Sequence, residues 1–572
     1  MTPPQHTKEF RFKHSSRILA YISAFSETER VIFGFLILIL GFTSIALATS
    51  VNKHFLTEIP ARGGELHEGI IGLPRTVNPV LAVTDTDRDI TSLVYSGLTH
   101  YTNGTFVDDL ALSHTISDDG LTYTFTLKPN LYFQDGTPLT TDDVAFTIQK
   151  IQDPTLKSPR RMDWANVTTK VVSPAVIQFI LKQPYSPFLS NTTIGIIPKH
   201  IWGSVTDDQF IFSQYNIQPI GSGPYEITNI ARDTGGIPTT YTLGTWGKYY
   251  GTTPFITTIS LNFFGDETSA FAALDGGSID SMASLSPLEA TKLASEKAQS
   301  YSVISTPLPR IFGVFFNQNQ NPILADKNVR QALDLAVDRS EIIQKVLAGY
   351  GTPLHGPLPP GMTSSATSDT NSLDLTDAMT ILEKSGWKKG SDGIYVKTSK
   401  DKKTTQTLSF DLYTADTSDL KQTADLLKAN WAQLGVQVNV KVFETSDLYQ
   451  NVIRPRKYDA LLFGELIGKD RDLYAFWHSS QRNAPGLNVS LYTNTKTDKL
   501  LEDIRSTQDD TTRLATYTQF DQIIRADIPA LFLYAPDFIY AIPKSVHHIS
   551  LGTMTTRLAT YTQFDQIIRA DI

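Results

Sequence analysis

The sequence predicts a protein of two or three lobes that contains both strands and helices and is preceded by one membrane-spanning helix. The chain has 572 residues, of which 41% are hydrophobic and 19% are charged, so it can bury a sizeable core. Near the N-terminus, residues 31–51 are apolar and free of charge over the length that crosses a bilayer. Residues 121–149 change from a strand pattern to a helix pattern.

The stretch with both patterns predicts a strand, a turn and a helix in succession. Residues 121–127 alternate apolar side chains with threonines, which is the period of a half-buried strand. Asp135-Gly136 predicts a turn. Thr140, with Asp143 three residues later, predicts a helix N-cap, because a side-chain oxygen there accepts an unpaired N–H group of the first turn. By itself this strand–turn–helix unit predicts a structural role and no catalytic or ligand-binding function.

Composition and missing motifs exclude several classes of protein. The formal net charge is −8, with lysine and arginine spread along the chain, so we expect no nucleic-acid partner. The chain has no cysteine, which excludes disulfides, thiolate metal ligands, a cysteine nucleophile and a lipid-modified N-terminal cysteine. It has no HExxH, Walker A or GxSxG motif, and no GxGxxG motif after a strand. We therefore expect no enzyme, no catalytic residue, no metal site and no cofactor.

The basic residues around the apolar run predict its orientation in the membrane. They are Lys8, Arg11, Lys13, Arg17 and Arg30 before the run and Lys53 and Arg62 after it. Because positive charge is enriched on the cytoplasmic side, the N-terminus is predicted to lie in the cytoplasm and the bulk of the chain outside the membrane. Ser26 with Glu29 predicts a helix cap just before the run.

Two interpretations of the apolar run remain open. Residues 46–48, Ala-Leu-Ala, have the pattern of a signal-peptidase site, which would make the run a cleaved signal. The long basic leader and the full spanning length favour an uncleaved anchor. We therefore predict a cytoplasmic tail over residues 1–30, a transmembrane anchor or signal over residues 31–51 and an exposed linker over residues 52–62.

Two further patterns predict structural roles in the body of the chain. Gly221 and Gly223 suit a chain reversal, because glycine tolerates positive φ. Residues 328–337 have the spacing of a core-facing helix. Arg330 and Arg339 are predicted to be structural ion-pair partners at this helix rather than ligand contacts.

Short motifs occur in a fixed order between residues 63 and 551. They include Gly72-Leu-Pro-Arg-Thr-Val-Asn78-Pro79, Gly97-Leu98, the stretch 121–149, Pro219-Ile-Gly221-Ser-Gly223-Pro224-Tyr225, Ala273-Leu-Asp-Gly-Gly277-Ser-Ile-Asp280, Val329-Arg330-Gln-Ala332-Leu and Ile528-Pro529-Ala-Leu-Phe-Leu-Tyr534. Each motif alone is weak, and the specificity comes from the ordered spacing. In this order the motifs resemble those of bacterial extracellular solute-binding protein family 5, the oligopeptide- and dipeptide-type substrate-binding proteins of ABC transporters.

The resemblance implies an α/β, type 2 periplasmic-binding-protein fold with three lobes and a hinged ligand cleft. The implied division is lobe I over residues 63–103, 205–308 and 534–554, lobe II as an insertion over residues 104–204, lobe III over residues 309–533, and a duplicated tail over residues 555–572.

The function implied by the resemblance is that of the substrate-binding component of an ABC importer. Such a protein captures oligopeptides outside the cytoplasmic membrane by hinge closure and delivers them to a permease. The implied partners are a peptide ligand, the permease subunits and the cytoplasmic membrane, with the protein itself a single-pass monomer whose soluble domain lies on the extracytoplasmic side. The alternative is the same fold binding an oligosaccharide or a metal complex, or acting as a surface receptor or hydrolase without a permease.

The resemblance implies ligand contacts at two places. At the first, the backbone of Val83, Thr84 and Asp85 would flank a bound peptide. The second lies between residues 459 and 478, where the predicted ligand-binding residues are Gly464, Glu465, Leu466, Ile467, Asp470, Asp472 and Trp477. The tryptophan is also compatible with a role as a core anchor.

The second place departs from the family pattern. In relatives, a Gly-Trp pair is followed after a short gap by an aspartate that holds the positive N-terminus of the ligand. Here Glu465 replaces the tryptophan, and Gly468 stands about where the aspartate should be. Asp470, Asp472 or Glu465 could take over the role. The alternative is that residues 469–472 form a solvated surface turn.

The C-terminal region contains an exact repeat. Residues 511–528 recur without a change at residues 555–572. A shared structural role constrains the pattern of apolar and polar residues but not the identity of each residue. Exact identity over 18 residues therefore has another origin, and we expect a recent duplication or an error in the gene model. The first copy is predicted to be the last helix before a buried strand, and the second an extra amphipathic helix or a disordered tail.

Overall fold

A computed structural model of the chain describes residues 25–55, 62–102, 104–362, 373–399, 404–468, 471–547, 551 and 568–569. The chain divides into two compact units, Met1–Pro60 and Ala61–Ile572.

The first unit contains one long helix, α1, which spans Glu27–Phe55. The predicted cap is confirmed, because the Ser26 N–H donates to Glu29 Oε2 at 2.8 Å and the Glu29 N–H donates back to Ser26 Oγ at 3.4 Å. Residues 27–51 of the helix have a mean hydropathy of 2.6 over the most apolar window. Among the described residues, α1 is the one helix long and apolar enough to cross a membrane.

The described residues of the second unit form 23 strands. The first twelve are β1 Glu65–Ile71, β2 Thr99–Thr102, β3 Thr105–Asp108, β4 Ala111–Ile116, β5 Thr122–Leu127, β6 Val167–Ser173, β7 Val176–Leu181, β8 Tyr225–Arg232, β9 Pro238–Thr245, β10 Thr258–Phe264, β11 Ser281–Ala283 and β12 Tyr301–Pro307. The others are β13 Arg310–Phe316, β14 Gly351–Pro353, β15 Lys388–Lys389, β16 Tyr395–Thr398, β17 Thr405–Thr407, β18 Ser409–Ala415, β19 Gln437–Phe443, β20 Ala460–Leu466, β21 Ala530–Pro543, β22 Val546–His547 and β23 Ile568–Arg569.

The helices of the second unit lie mainly between these strands. They are α2 Asp85–Val94, α3 Thr141–Gln152, α4 Arg161–Trp164, α5 Lys199–Trp202, α6 Asp207–Phe210, α7 Glu267–Asp275, α8 Pro287–Glu296, α9 Pro322–Ala325, α10 Lys327–Leu335, α11 Arg339–Leu347, α12 Leu375–Lys384, α13 Ser418–Leu434, α14 Thr445–Asp447, α15 Tyr474–Trp477, α16 Thr495–Ser506 and α17 Asp510–Asp527. Short 3₁₀ turns occur at Ser186–Thr193, Gln214–Asn216 and Ser479–Gln481, and a π-helical turn at Leu448–Ile453.

A 12-stranded sheet forms the centre of the second unit, in the order β19-β18-β20-β13-β21-β11-β1-β10-β9-β8, with β12 and β14 also paired to β21. The long strand β21 serves both halves of this sheet. Its residues 530–534 pair with β13, and its residues 537–543 pair with β12. The boundaries of the three predicted lobes remain a prediction.

A separate four-stranded sheet, β4-β5-β7-β6, contains the predicted strand–turn–helix unit. Strand β5 alternates half-buried and buried residues, as the sequence pattern predicts. Gly136 has φ 86°, which fits the predicted turn. Thr140 and Asp143 form the predicted capping box at the start of α3. All three parts of this prediction are confirmed.

Arg330 on α10 is buried, and all of its direct hydrogen bonds go to backbone oxygens. Its Nε donates to Ile528 O at 2.7 Å and its Nη2 donates to Asp527 O at 2.8 Å. Its Nη1 donates to Leu324 O and Ala325 O at 2.8 and 2.9 Å. The prediction of a structural role is confirmed, although the partners are carbonyl groups rather than a paired carboxylate.

Arg339 at the start of α11 has the predicted ion pair. Its Nη2 lies 2.5 Å from Asp334 Oδ1, and its Nε donates to Leu354 O and Phe532 O at 2.9 and 2.7 Å. Since Phe532 belongs to β21, this guanidinium also joins α11 to the central sheet.

The first copy of the repeat forms α17, as predicted, with Tyr517, Phe520 and Ile524 buried. In the second copy, Ile568 and Arg569 form β23, which pairs antiparallel with β22. The other residues of the second copy lie outside the described part of the chain.

The segment before β8 packs tightly against the end of α2. A Cβ added at Gly221 would lie 2.0 Å from Val94 O, and one added at Gly223 would lie 2.6 Å from Leu93 O. Neither glycine has positive φ, so the predicted reason for glycine at these positions is wrong. Glycine is required because the backbone of another element occupies the space of a side chain.

We expect Gly221→Ala to lower the free energy of unfolding by about 1–3 kcal/mol or more, because the new methyl group meets backbone that cannot rotate away. Chemical denaturation of the variant and the wild type measures the difference. Gly247→Ala is the matched control, since nothing lies within 4 Å of its added Cβ. Equal stability of the two variants would show that the close approach is not needed.

Candidate functional site

Two adjoining cavities lie where distant parts of the second unit meet. The larger one, called the cleft here, has a volume of about 700 Å³. Its walls come from three parts of the chain, namely Ala82 and Arg88, residues 159–193, and the segment 466–468 with Arg505. The smaller cavity, called the tyrosine pocket, has a volume of about 350 Å³. Because it joins chain-distant segments, the cleft is the candidate ligand site.

The first predicted contact segment forms the entry to α2 beside the cleft. Thr84 caps the helix by accepting the Asp87 N–H at 3.1 Å. Val83 is 61% exposed, and Asp85 pairs with Arg88 at 3.4 Å. These three predicted residues do not themselves line the cleft, whereas Ala82 and Arg88 on either side of them do.

Asp87 fixes the backbone of this segment. Its Oδ1 accepts the Arg75 and Thr76 N–H groups at 2.7 and 2.8 Å, and its Oδ2 accepts the Thr84 hydroxyl at 2.7 Å. The buried carboxylate of Asp87 therefore links the segment at the entry to α2 to the loop after β1. This link gives the exposed Val83 a defined position.

The second predicted segment begins at the end of β20. Gly464 lies opposite Phe312 of β13, whose ring would be 2.8 Å from an added Cβ. Leu466 is 48% exposed and lines the cleft together with Ile467 and Gly468. Two of the predicted residues, Leu466 and Ile467, are thus brought to the cleft.

Glu465 is buried away from the cleft lining. It is 5% exposed, and neither carboxyl oxygen has a hydrogen-bond partner among the described residues. Burial raises the pKa of Glu465 well above the ordinary value for a glutamate. This burial favours the neutral carboxyl over the carboxylate, and the side chain does not line the cleft where a ligand amine would bind.

Asp472 uses its charge within the protein. Arg505 Nη2 donates to Asp472 Oδ2 at 2.6 Å, and Arg505 Nε donates to both carboxylate oxygens at 2.9 and 3.1 Å. The Tyr185 hydroxyl donates to Asp472 Oδ2 at 3.4 Å. Asp470, the third candidate amine anchor, lies outside the described residues. No free carboxylate among the described residues lies at the predicted position of the amine anchor.

Trp477 lies in the hydrophobic core and has no exposed surface. Its ring centroid is 6.3 Å from that of Phe315 and 5.8 Å from that of Phe532. The structure therefore places this predicted contact residue in the core, because the indole fills the space beneath the central sheet rather than the cleft.

Sequence reasoning missed the basic residues of the cleft wall. Arg88, Arg160, Lys182 and Arg505 line it, with Asp163 as the one acidic lining residue within the described part of the chain. Three of the four cations are already paired with nearby aspartates, whereas Lys182 forms no ion pair with a described residue. No local motif marks these positions, since they meet only in the folded chain. Among the described residues, no group of three His, Asp or Glu side chains could hold a metal ion.

Comparison with protein-family models identifies the class of protein. Residues 105–485 match the family model described as bacterial extracellular solute-binding proteins, family 5. The chain therefore belongs to this family of solute-binding proteins, as its motifs predict.

Known relatives match most of the chain. Protein XP55 of Streptomyces lividans is 29% identical over 488 residues, which cover 83% of this chain and 84% of that protein. The oligopeptide-binding protein AppA of Bacillus subtilis is 29% identical over 499 residues, which cover 85% of this chain and 89% of that protein.

Solved structures share the fold. The structure of AppA from Bacillus subtilis in complex with a nonapeptide is 27% identical, has a TM-score of 0.67 and covers 90% of this chain and 100% of that one. The ABC transporter substrate-binding protein CtaP from Listeria monocytogenes is 26% identical, has a TM-score of 0.74 and covers 89% of this chain and 100% of that one. These likenesses confirm the predicted α/β periplasmic-binding-protein fold.

We expect Glu465→Gln to remove a pH-dependent loss of stability. The unfolded chain loses the Glu465 proton at about pH 4.3. The folded chain keeps the proton to higher pH, so the free energy of unfolding falls as pH rises between the two pKa values. Glutamine has no proton to lose, so the variant should gain about 1–3 kcal/mol relative to the wild type between pH 4 and pH 7. Urea denaturation at each pH measures this gain.

Glu296→Gln is the control for this experiment, because it makes the same carboxyl-to-amide change at an exposed position. Parallel pH profiles for wild type and both variants would contradict the assignment of the effect to the buried carboxyl of Glu465.

Proposed function

We propose that the protein is the substrate-binding component of an ABC importer that captures oligopeptides outside the cytoplasmic membrane. One observation carries the proposal: in a chain of this solute-binding family, three distant segments enclose a cleft of about 700 Å³. The volume lies within the range of about 300–1,000 Å³ that ligand pockets occupy. The likeness to AppA, whose solved structure contains a nonapeptide, favours a peptide over other solutes.

The end of β20 supports a backbone-mediated mode of binding. On one side, β20 pairs with β13 along its whole length, including Gly464 and Leu466. On the other side, it pairs with β18 only at Ala460 and Leu461. Residues 463–466 thus have one edge that pairs with no described strand, and an extended peptide could add there as a further strand. Backbone pairing of this kind accepts many different side chains.

The charge of the cleft supports recognition of the ligand carboxylate. Lys182 has no ion-pair partner among the described residues and lines the cleft beside Arg160 and Arg505. Its ammonium group offers three donors to a carboxylate. The amine anchor expected from the resemblance has weaker support, because Glu465 is buried, which favours its neutral form, and Asp472 is bound by Arg505. We therefore propose that the C-terminal end of the peptide faces Lys182.

Contacts across the cleft support hinge closure as part of the mechanism. Ser186 Oγ donates to Ile504 O at 3.1 Å, and Gln508 Nε2 donates to the Tyr123 hydroxyl at 3.2 Å. Together with the bond from Tyr185 to Asp472, these contacts join the proposed lobe II to the proposed lobe III. A ligand that binds better when these contacts are made shifts the population toward the closed form, which would then dock on the permease.

We expect peptides to co-purify with the protein and to raise its melting temperature. Binding only to the folded state at a concentration 100 times the Kd adds about 2.7 kcal/mol to the free energy of unfolding. Native mass spectrometry identifies the bound species, and small-angle scattering checks that peptide lowers the radius of gyration. A bound sugar or metal complex, or turnover of a trial substrate, would contradict the peptide assignment, and an unchanged radius would contradict closure.

The matched variants for this experiment are Lys182→Gln in the cleft and Lys170→Gln on the surface of β6. Wild type and Lys170→Gln should bind a peptide with a free C-terminus more tightly than its amidated form. Lys182→Gln should bind the two forms alike, with a loss of roughly tenfold for the free form, since a hydrogen bond to a charged group contributes about 1.5–3 kcal/mol. Equal discrimination by both variants would refute the role of Lys182.

We propose further that α1 anchors the protein in the cytoplasmic membrane with the N-terminus inside. Its apolar, charge-free run over residues 31–51 supports this proposal, as does the excess of basic residues before it. Immunoblots of membrane and released fractions should find the full-length chain in the membrane even after a high-salt wash. A released product that starts near Thr49 would show that the helix is a cleaved signal.

A further inference from the structure

We infer that the tyrosine pocket is a specificity pocket that receives one uncharged aromatic side chain of the peptide, with preference for tyrosine. The inference rests on the proposed function, because it assumes a peptide in the neighbouring cleft. It adds a ligand preference that backbone pairing alone does not supply.

The two cavities are continuous at four residues. Ala82, Arg88, Arg160 and Thr193 line both of them. A ligand whose backbone lies in the cleft can therefore direct a side chain past these residues. The passage contains two guanidinium groups and no bulky apolar side chain.

The two arginines at the passage are weakly held. Arg88 pairs with Asp85 at 3.4 Å, and Arg160 pairs with Asp163 at 3.3 Å. Both pairs span three residues of the chain, and all four side chains are more than one-third exposed. Exposed pairs of this kind contribute only about 0–1 kcal/mol. The arginines can therefore move aside for an entering side chain and then pack over its ring, as guanidinium groups do on aromatic faces.

The walls of the tyrosine pocket suit an aromatic ring. The lining tyrosines are Tyr95, Tyr101, Tyr225, Tyr249 and Tyr250, together with Pro79 and Pro224. The rings of Tyr249 and Tyr250 have centroids 4.6 Å apart at an angle of 51°. A further ring among them can adopt the tilted contacts that aromatic pairs prefer. The volume of about 350 Å³ is near the lower limit of ligand pockets and suits one side chain rather than a whole peptide.

The charged groups inside the tyrosine pocket already have partners. Asp109 Oδ1 accepts the Tyr250 hydroxyl at 2.5 Å, and Lys128 Nζ lies 5.0 Å from the centroid of the Tyr250 ring. Asp108 pairs with His114 at 2.6 Å. Burial raises the pKa of Asp109 above its ordinary value. Each of these charged groups among the described lining residues thus has a partner, which disfavours a charged ligand side chain.

Two buried hydroxyl groups of the pocket lining do lack partners. Tyr95 is 4% exposed and Thr91 is 9% exposed, and neither the Tyr95 Oη nor the Thr91 Oγ1 has a hydrogen bond with a described residue. A buried hydroxyl left unpaired costs about 1–3 kcal/mol. A ligand phenol that bonds one of them recovers part of this cost, whereas a phenylalanine ring does not. This difference sets the preference for tyrosine over phenylalanine.

Binding measurements with a series of pentapeptides test the inference on the full-length protein in detergent. The reference is a peptide of five alanines, and the test peptides have tyrosine or phenylalanine at each position in turn. At one position, tyrosine should lower the Kd at least tenfold relative to alanine, and phenylalanine should lower it by a smaller factor. Equal Kd values for alanine and tyrosine at every position would overturn the specificity pocket and leave the proposed function standing.

Two variants locate the effect in the tyrosine pocket. Thr252→Trp places a large ring at an exposed lining residue and should remove the preference for tyrosine. Thr105→Trp, at an exposed position of β3 that does not line the pocket, should keep it. Retention of the preference in Thr252→Trp would overturn the assignment.

Tyr95→Phe tests the role of the unpartnered hydroxyl. It should bring the Kd values of the tyrosine and phenylalanine peptides together, and it should not lower the melting temperature, since no internal hydrogen bond is lost. A lower melting temperature with an unchanged ratio of Kd values would mean that the hydroxyl serves the fold instead of the ligand. Failure of every pentapeptide to bind the wild type would overturn the proposed function and the specificity pocket together.

Discussion

A single buried guanidinium, that of Arg330, holds together the junction on which the central sheet depends. Its hydrogen bonds reach the carbonyl groups of Asp527 and Ile528, where α17 ends and β21 follows. They also reach Leu324 and Ala325 at the end of α9. These carbonyls would otherwise be unpaired acceptors at helix ends in a dry environment. Because β21 pairs with strands of both halves of the sheet, this junction fixes the start of the strand that the two halves share.

The parts of the fold that were predictable from sequence are those governed by neighbouring residues. The alternation in β5, the left-handed glycine at position 136 and the capping box of α3 each depend on side chains within a few residues. The requirement for Gly221 has a different origin, because the obstructing oxygen belongs to Val94, far away in the chain. The local sequence pattern correctly predicts that this position needs glycine, but it predicts a positive φ where the cause is a close approach of distant backbone.

The candidate site was predictable only in part, for the same reason. Glu465 and Asp472 are both acidic residues at the predicted position of an amine anchor, and sequence does not distinguish them. The fold buries Glu465 without a partner, whereas it sets Asp472 against Arg505 from another helix. The basic residues of the cleft wall likewise come from three distant parts of the chain, and no local spacing rule predicts that these parts meet. The ordered motifs identify the family from sequence. The role of each charged residue depends on contacts between residues that are distant in the chain.

The continuity of β21 has a mechanical consequence for the proposed closure. A loop hinge rotates freely, but a hydrogen-bonded strand shared by two bodies resists torsion in proportion to the angle turned. Rotation of one half of the sheet against the other must be absorbed as added twist along the 14 residues of this strand and its bonded neighbours. In the proposed closure, such an element would act as a torsion spring that ligand contacts wind and that unwinds when the ligand leaves.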